Sequence, residues 1–305
     1  MERVCLVDDA PIIPYRRVDG YVVTMPVTRF APSPTGYLHL GHAFSALFAR
    51  RAAGEQGTMR LRLEDIDQGR CRDAFAAAIF EDLTWLGLSW PEPVRVQSRH
   101  FADYAGALDR LAAMQLLYPC FCTRTRIAAN IGQVLSAPHG TTSVYPGTCR
   151  RLAPERRAER LVEGIPFAWR LDVARASAAT GPLTWRDLSR GEIAADPASL
   201  GDVVIARKDT PTSYHLSVTW DDAVEGVEIV TRGEDLLAAT HIHRLLQALL
   251  GLPVPVWHHH PLIHDGAGER LAKRRGSPAL RDYRAQGVSA GEIRTRLGFG
   301  DQAAL

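Results

Sequence analysis

The stretch Arg29–Ala49, RFAPSPTGYLHLGHAFSALFA, decides the fold. Two prolines, two glycines and two histidines stand immediately ahead of a run of helix-forming residues. A turn that only linked a strand to a helix could be shorter and plainer, so the stretch predicts a loop shaped around a ligand. The preceding VTRFA has strand character, and from Gly41 the sequence GHAFSALFARRAAGEQG reads as a helix, with Phe44, Leu47 and Phe48 on one face and Gly54 and Gly57 beyond its end. A helix starting near Gly41 turns its unpaired N–H groups and positive dipole end toward the loop, which favours an anion such as a phosphate. His39 and His42 can donate hydrogen bonds to that anion. Gly41 lets a base or ribose approach the backbone, and Pro32 and Pro34 stiffen the approach. A nucleoside triphosphate fits all three features, although an isolated H-x-G-H would be no more than a rigid loop with two surface histidines.

Working outward, Met59, Leu61 and Leu63 alternate with Arg60, Arg62 and Glu64 in TMRLRLEDID, the period of a strand with one apolar face. Residues 72–87 read as an amphipathic helix, and the alternation predicts a doubly wound α/β sheet. From about residue 105 a helix, a cysteine cluster, an arginine-rich stretch and a Pro/Gly-containing region suggest an insertion between halves of that sheet. Residues 199–236, which include SYHLSVTWDD, return to strand-like segments, and a helical region from about residue 237 closes the chain.

The 305 residues can bury a substantial core, and no run of apolar residues is long enough for a membrane span. A soluble, cytoplasmic, monomeric enzyme is the expectation. The net charge of +2 neither demands nor excludes a nucleic-acid partner. The first two dozen residues lack the regions of a secretory signal, so residues 1–25 are expected to be an extension. Of five cysteines, Cys120, Cys122 and Cys149 lie close together in YPCFCTRTR and YPGTC. Three thiolates from two short segments suit a tetrahedral Zn²⁺ if a fourth ligand is near, and a histidine such as His139 or a water could supply it. Three consecutive histidines, His258 to His260, cannot all converge on one ion, so a packing and surface role is expected for them.

The extended run RFAPSPTGYLHLGH resembles the HIGH signature of class I aminoacyl-tRNA synthetases, in the form of the glutamyl and glutaminyl branch. The resemblance implies a Rossmann-type catalytic domain that activates an amino acid with ATP and Mg²⁺, with His39 and His42 stabilising the phosphates and Pro32 and Gly41 lining the ATP site. It places Arg29, Glu64, Tyr214 (in SYHLSVTWDD) and Arg232 (in TRGEDL) on the substrate L-glutamate: a cation for its side-chain carboxylate and an acceptor for its ammonium group. HDGAGERLAKRRGSPAL is similar to the KMSKS loop, with Lys273 on the second lysine as an ATP-binding, catalytic residue. Arg270 replaces the first lysine there, Ala272 the serine and Arg274 the last position. The family's acceptor-stem-binding insertion carries a structural zinc whose fourth ligand is a tyrosine, which implies Cys120, Cys122, Tyr145 and Cys149 as its ligands.

The resemblance divides the chain into an extension (1–25), a first Rossmann half (26–104), an inserted zinc-binding subdomain (105–198), a second Rossmann half (199–240) and a helical C-terminal region with the KMSKS-like loop (241–305). About 30 residues follow that loop, too few for an anticodon-binding domain. The expectation is therefore the short paralogous family that transfers glutamate to queuosine in tRNA(Asp). A truncated enzyme charging a tRNA 3′ end and a tRNA-binding module without catalysis are the alternatives.

Overall fold

The computed structural model describes residues 25–123, 144–263 and 278–300. β1 (Val27–Phe30) leads through the proline-containing loop into α1 (Leu40–Ala53), followed by β2 (Thr58–Leu63), α2 (Asp73–Trp85) and a short β3 (Arg95–Val96). The three strands pair in parallel in the order β1-β2-β3, in register from Val27 opposite Thr58 to Phe30 opposite Leu61. α1 is apolar around most of its circumference, and Ala43, Ala46, Leu47 and Ala49 are fully buried, as a helix packed on several sides requires. Met59, Leu61 and Leu63 of β2 are buried as their alternation predicts. The opposite face is not solvated: Arg62 is fully buried, its guanidinium 2.7 Å from Asp222 and 2.6 Å from Glu225. A parallel strand is covered on both faces, so its polar residues must find partners inside.

The chain continues through α3 (Phe101–Ala113), β4 (Leu117–Cys120), α4 (Pro154–Val162), β5 (Ala168–Leu171), α5 (Val173–Thr180), β6 (Thr184–Asp187), β7 (Gly191–Ala194) and β8 (Val204–Ala206). Then come α6 (Tyr214–Val224), β9 (Ile229–Gly233), α7 (Ala239–Leu250), β10 (Val256–His260), α8 (Leu280–Ala285) and α9 (Ala290–Arg296). β4, β5 and β8 form an antiparallel sheet, and a second four-stranded sheet has the order β7-β6-β10-β9, parallel between β6, β10 and β9. β1 runs beside β9, where the Glu228 N–H donates to the Val27 carbonyl at 2.9 Å. The parallel strands thus abut around β1 and β9.

Two expectations are corrected. SYHLSVTWDD is not strand but α6. Ser213 caps it by accepting the Leu216 N–H, and Leu216, Val218 and Asp221 are buried. Packing of that face against α3 and α7 overrides the β preference of its Val, Thr and Trp residues. The closing region is not wholly helical either. α7 ends at Gly251, in the left-handed conformation at φ 63°, and VWHHH then forms β10 in parallel register with β9. Strand membership also crosses the division expected near residue 199, since β6 joins β10 while β8 joins β5. Among the described residues no helix is long and apolar enough to cross a membrane.

Candidate active site

A cleft of about 440 Å³ opens at the carboxyl ends of β1, β9 and β10. In open α/β sheets this is where ligands bind. Its lining brings Pro32, His39, Gly41 and His42, from the loop and the first turn of α1, together with a second group, Arg29, Glu64, Tyr214 and Arg232. Four separate elements, β1, the end of β2, α6 and β9, bring the second group together. Lys273 and the rest of 264–277 lie outside the described residues, as do residues 1–24 and His139.

The α1 terminus explains its two histidines. His39 is the N-cap: its Nδ1 accepts the Gly41 N–H at 3.1 Å, while His42 Nδ1 accepts the His39 N–H at 3.2 Å. Each neutral ring therefore carries its proton on Nε2, which makes that nitrogen a donor at a helix N-terminus already biased toward anions. Ser45, one turn on, contacts His260 Nε2 at 3.0 Å and ties α1 to β10. The Glu64 N–H donates to the Pro32 carbonyl at 3.0 Å, fixing the loop to the end of β2.

The polar pocket is built on buried charge. The Arg29 Nε donates to Asp222 at 2.9 Å, and a terminal nitrogen donates to the Thr231 carbonyl at 2.7 Å. Asp222 also receives Arg62 at 2.7 Å. Burial alone would raise the Asp222 carboxyl, but Arg29 and Arg62 outweigh it and hold it below the usual carboxylate range. Glu64 goes the other way: burial pushes its carboxyl up to about 7, even though Arg62 and Arg29 pull it down. The Tyr214 hydroxyl, raised by burial, lies 3.4 Å from Arg232. Behind Arg232 sit His243 and His215, both driven toward the neutral form by burial and by that guanidinium, His215 to about 4. Sequence reasoning gave no role to Asp222, Asp187 or His243, and expected only a packing and surface role for His259. Of the three consecutive histidines, His258 and His260 face Phe48, while His259 turns to the other side and meets Asp187 at 2.7 Å.

The cysteine cluster lies apart, at the end of β4. The sulfurs of Cys120, Cys122 and Cys149 are all within 4.8 Å of one another, and those of Cys122 and Cys149 are 3.5 Å apart. The Tyr145 oxygen lies 3.4 Å from Cys120 and 3.7 Å from Cys122, and accepts the Cys149 N–H at 2.9 Å. Tetrahedral bonds of about 2.3 Å separate sulfurs by roughly 3.8 Å, so the three thiols fit a metal ion. The hydrogen bond between Cys120 and Cys149 pushes Cys120 up to about 12 and draws Cys149 down to about 6, which favours a thiolate at neutral pH. These three cysteines could hold a metal ion.

The sequence profile described as "tRNA synthetases class I (E and Q), catalytic domain" matches residues 26–299. A protein of Rhodobacter capsulatus named glutamyl-Q tRNA(Asp) synthetase is 49% identical over 283 residues, covering 90% of this chain and 100% of its own. Glutamate–tRNA ligase 2 of Methylobacterium sp. is 42% identical over 272 residues, 88% of this chain and 58% of its own. Among solved structures, the glutamate-tRNA synthetase from Elizabethkingia anophelis superposes with a TM-score of 0.71 at 26% identity, over 84% of this chain and 55% of that one. The chain spans about half the length of that structure. The chain belongs to the class I tRNA synthetases of the E and Q type and is a ligase related to proteins named glutamyl-Q tRNA(Asp) synthetase.

Proposed function

We propose that the cleft activates L-glutamate with ATP and passes it to queuosine in tRNA(Asp). The observation that carries this reading is the meeting of two unlike surfaces in one cleft: the α1 terminus with His39, His42 and Gly41, and the pocket of Arg29, Glu64, Tyr214 and Arg232. The first suits a triphosphate. The second suits an amino acid with an acidic side chain, its carboxylate on the arginine side and its ammonium group on Glu64. In the first step an oxygen of the glutamate α-carboxylate attacks the α-phosphorus of ATP, the bond to the β-phosphate bridge breaks, and pyrophosphate leaves. His39 and His42 donate from Nε2 to the phosphate oxygens as charge builds on them, and Lys273 acts with them. Magnesium enters with the triphosphate as part of the substrate. In the second step a hydroxyl of the queuosine cyclopentene diol attacks the adenylate carbonyl. AMP leaves, the hydroxyl proton is lost, and an ester forms on the modified base.

Cys120, Cys122, Tyr145 and Cys149 are the ligands we assign to a structural zinc, which would tie the segment around Tyr145 to β4. The enzyme is read as a cytoplasmic monomer. The queuosine end of the reading is supported by the relation to proteins named for that tRNA. The 42% identity to glutamate–tRNA ligase 2 favours one second reading, esterification of a tRNA 3′ end. Glutamate-dependent ATP–pyrophosphate exchange without tRNA tests the first step: exchange with glutamate and not with glutamine or aspartate is the expected result, and no exchange with any amino acid would overturn the reading.

A further inference from the structure

The two arginines of the cleft are wired differently. Arg29 is neutralised by Asp222, but Arg232 forms no ion pair among the described residues. Its Nε donates to His259 Nε2 at 3.2 Å, one terminal nitrogen to His243 Nδ1 at 3.1 Å and to the Tyr214 hydroxyl at 3.4 Å, and the other to Thr240 Oγ1 at 2.5 Å. Every acceptor is neutral. An imidazole nitrogen accepts only when it carries no proton, so the position of each ring proton decides whether Arg232 can be held this way.

For His259 the deciding group is Asp187. One carboxylate oxygen accepts the Ser189 N–H at 2.9 Å and the Ser189 hydroxyl at 2.7 Å; the other accepts the His259 N–H at 3.2 Å and meets His259 Nδ1 at 2.7 Å. Two of these neighbours, the backbone N–H groups, can only donate, and Arg232, which also can only donate, occupies His259 Nε2, so the neutral ring has its proton on Nδ1 and an Asp187 carboxylate accepts it. The carboxylate thereby keeps that proton on Nδ1 and leaves Nε2 as the acceptor for Arg232. Both Asp187 and His259 are buried, with no exposed side-chain surface.

We propose that Asp187 and His259 are positioning residues for Arg232: Asp187 fixes the His259 tautomer, and His259 then holds the guanidinium toward the cleft without neutralising it. Resting on the glutamate reading above, this makes the protein itself the source of the preference for a carboxylate side chain. A carboxylate supplies the charge partner that the protein withholds, whereas a carboxamide leaves a buried cation uncompensated.

Two experiments decide the matter. In Asp187→Asn the amide NH₂ meets a backbone N–H, of Ser189 or of His259, whichever way it faces, and His259 loses its fixed tautomer. We expect the KM for glutamate in pyrophosphate exchange to rise roughly tenfold or more, the KM for ATP to stay within about twofold, and glutamine to compete better against glutamate. An unchanged glutamate KM, or glutamate and ATP KM values rising together, would overturn the proposal. The second readout is the ¹⁵N spectrum of His259 in the wild-type protein, which needs neither a variant nor activity. An unprotonated Nε2 with a protonated Nδ1 is required, and a protonated Nε2 overturns the wiring. Were wild type to exchange with no amino acid, the substrate reading would fall, and the His259 spectrum would still decide the positioning claim.

Discussion

Glu64→Gln tests the pocket quantitatively. Glu64 follows the last residue of β2, its carboxyl 3.6 Å from Arg62, and burial raises it from 4.5 to about 7. At about 1.4 kcal/mol per pH unit this corresponds to ~3 kcal/mol set against the charged form. A buried acid with a raised pKa keeps a proton in the folded chain that the unfolded chain has already released. Its contribution to stability is therefore full below pH 4.5 and is lost as pH rises through about 7. Substrate binding has the opposite sign, because the ammonium group of glutamate pairs with the carboxylate and not with the acid. In pyrophosphate exchange followed from about pH 5.5 to 8.5, kcat/KM for glutamate should rise about tenfold per pH unit and level off above pH ~7. Glu64→Gln should flatten that limb and lower the plateau roughly 10- to 100-fold, the worth of one charge-assisted hydrogen bond of about 1.5–3 kcal/mol. A limb near pH 7 that persists in Glu64→Gln would refute the assignment.

Asp222→Asn should destabilise the fold by about 3 kcal/mol in urea unfolding, the lower end for breaking a buried pair, because Arg62 keeps Glu225 at 2.6 Å; a loss under about 1 kcal/mol would contradict the buried network. His39→Ala removes both the α1 cap and a donor, and should slow pyrophosphate exchange by two orders of magnitude or more for a loss of only about 1–2 kcal/mol in stability; normal exchange would remove His39 from the chemistry. Cys122→Ser should abolish stoichiometric zinc in the purified protein and raise protease sensitivity around Tyr145, and a wild type prepared with ample zinc that contains none would count against the site.

What could be read in the sequence was contiguous. The strand, loop and helix at residues 27–53 carry their turn residues, cap and apolar face within one stretch, and the cysteine spacing likewise brings its members close. Arg29, Glu64, Tyr214 and Arg232 come from four elements that no periodicity connects, so only the resemblance named them together. Charge alternation in β2 misled because it looks the same whether one face is wet or both are covered; the partners of Arg62 lie some 160 residues away on and just beyond α6. His259 escaped for the same reason. Its partner Asp187 is 72 residues earlier on β6, and three histidines in a row look like surface until alternation along β10 sends them to opposite faces. Tyr214 to Asp222 read as strand because local β preference was the only signal, and burial of the α6 face outweighs it.

The central claim is the acceptor of the activated glutamate, and one measurement reaches it directly: transfer of radiolabelled glutamate, with ATP, to queuosine-containing tRNA(Asp) beside unmodified tRNA(Asp) and tRNA(Glu). The account predicts label on the queuosine-containing tRNA(Asp) and on neither of the others. Label on tRNA(Glu) would contradict it and make the chain an enzyme that charges a tRNA 3′ end.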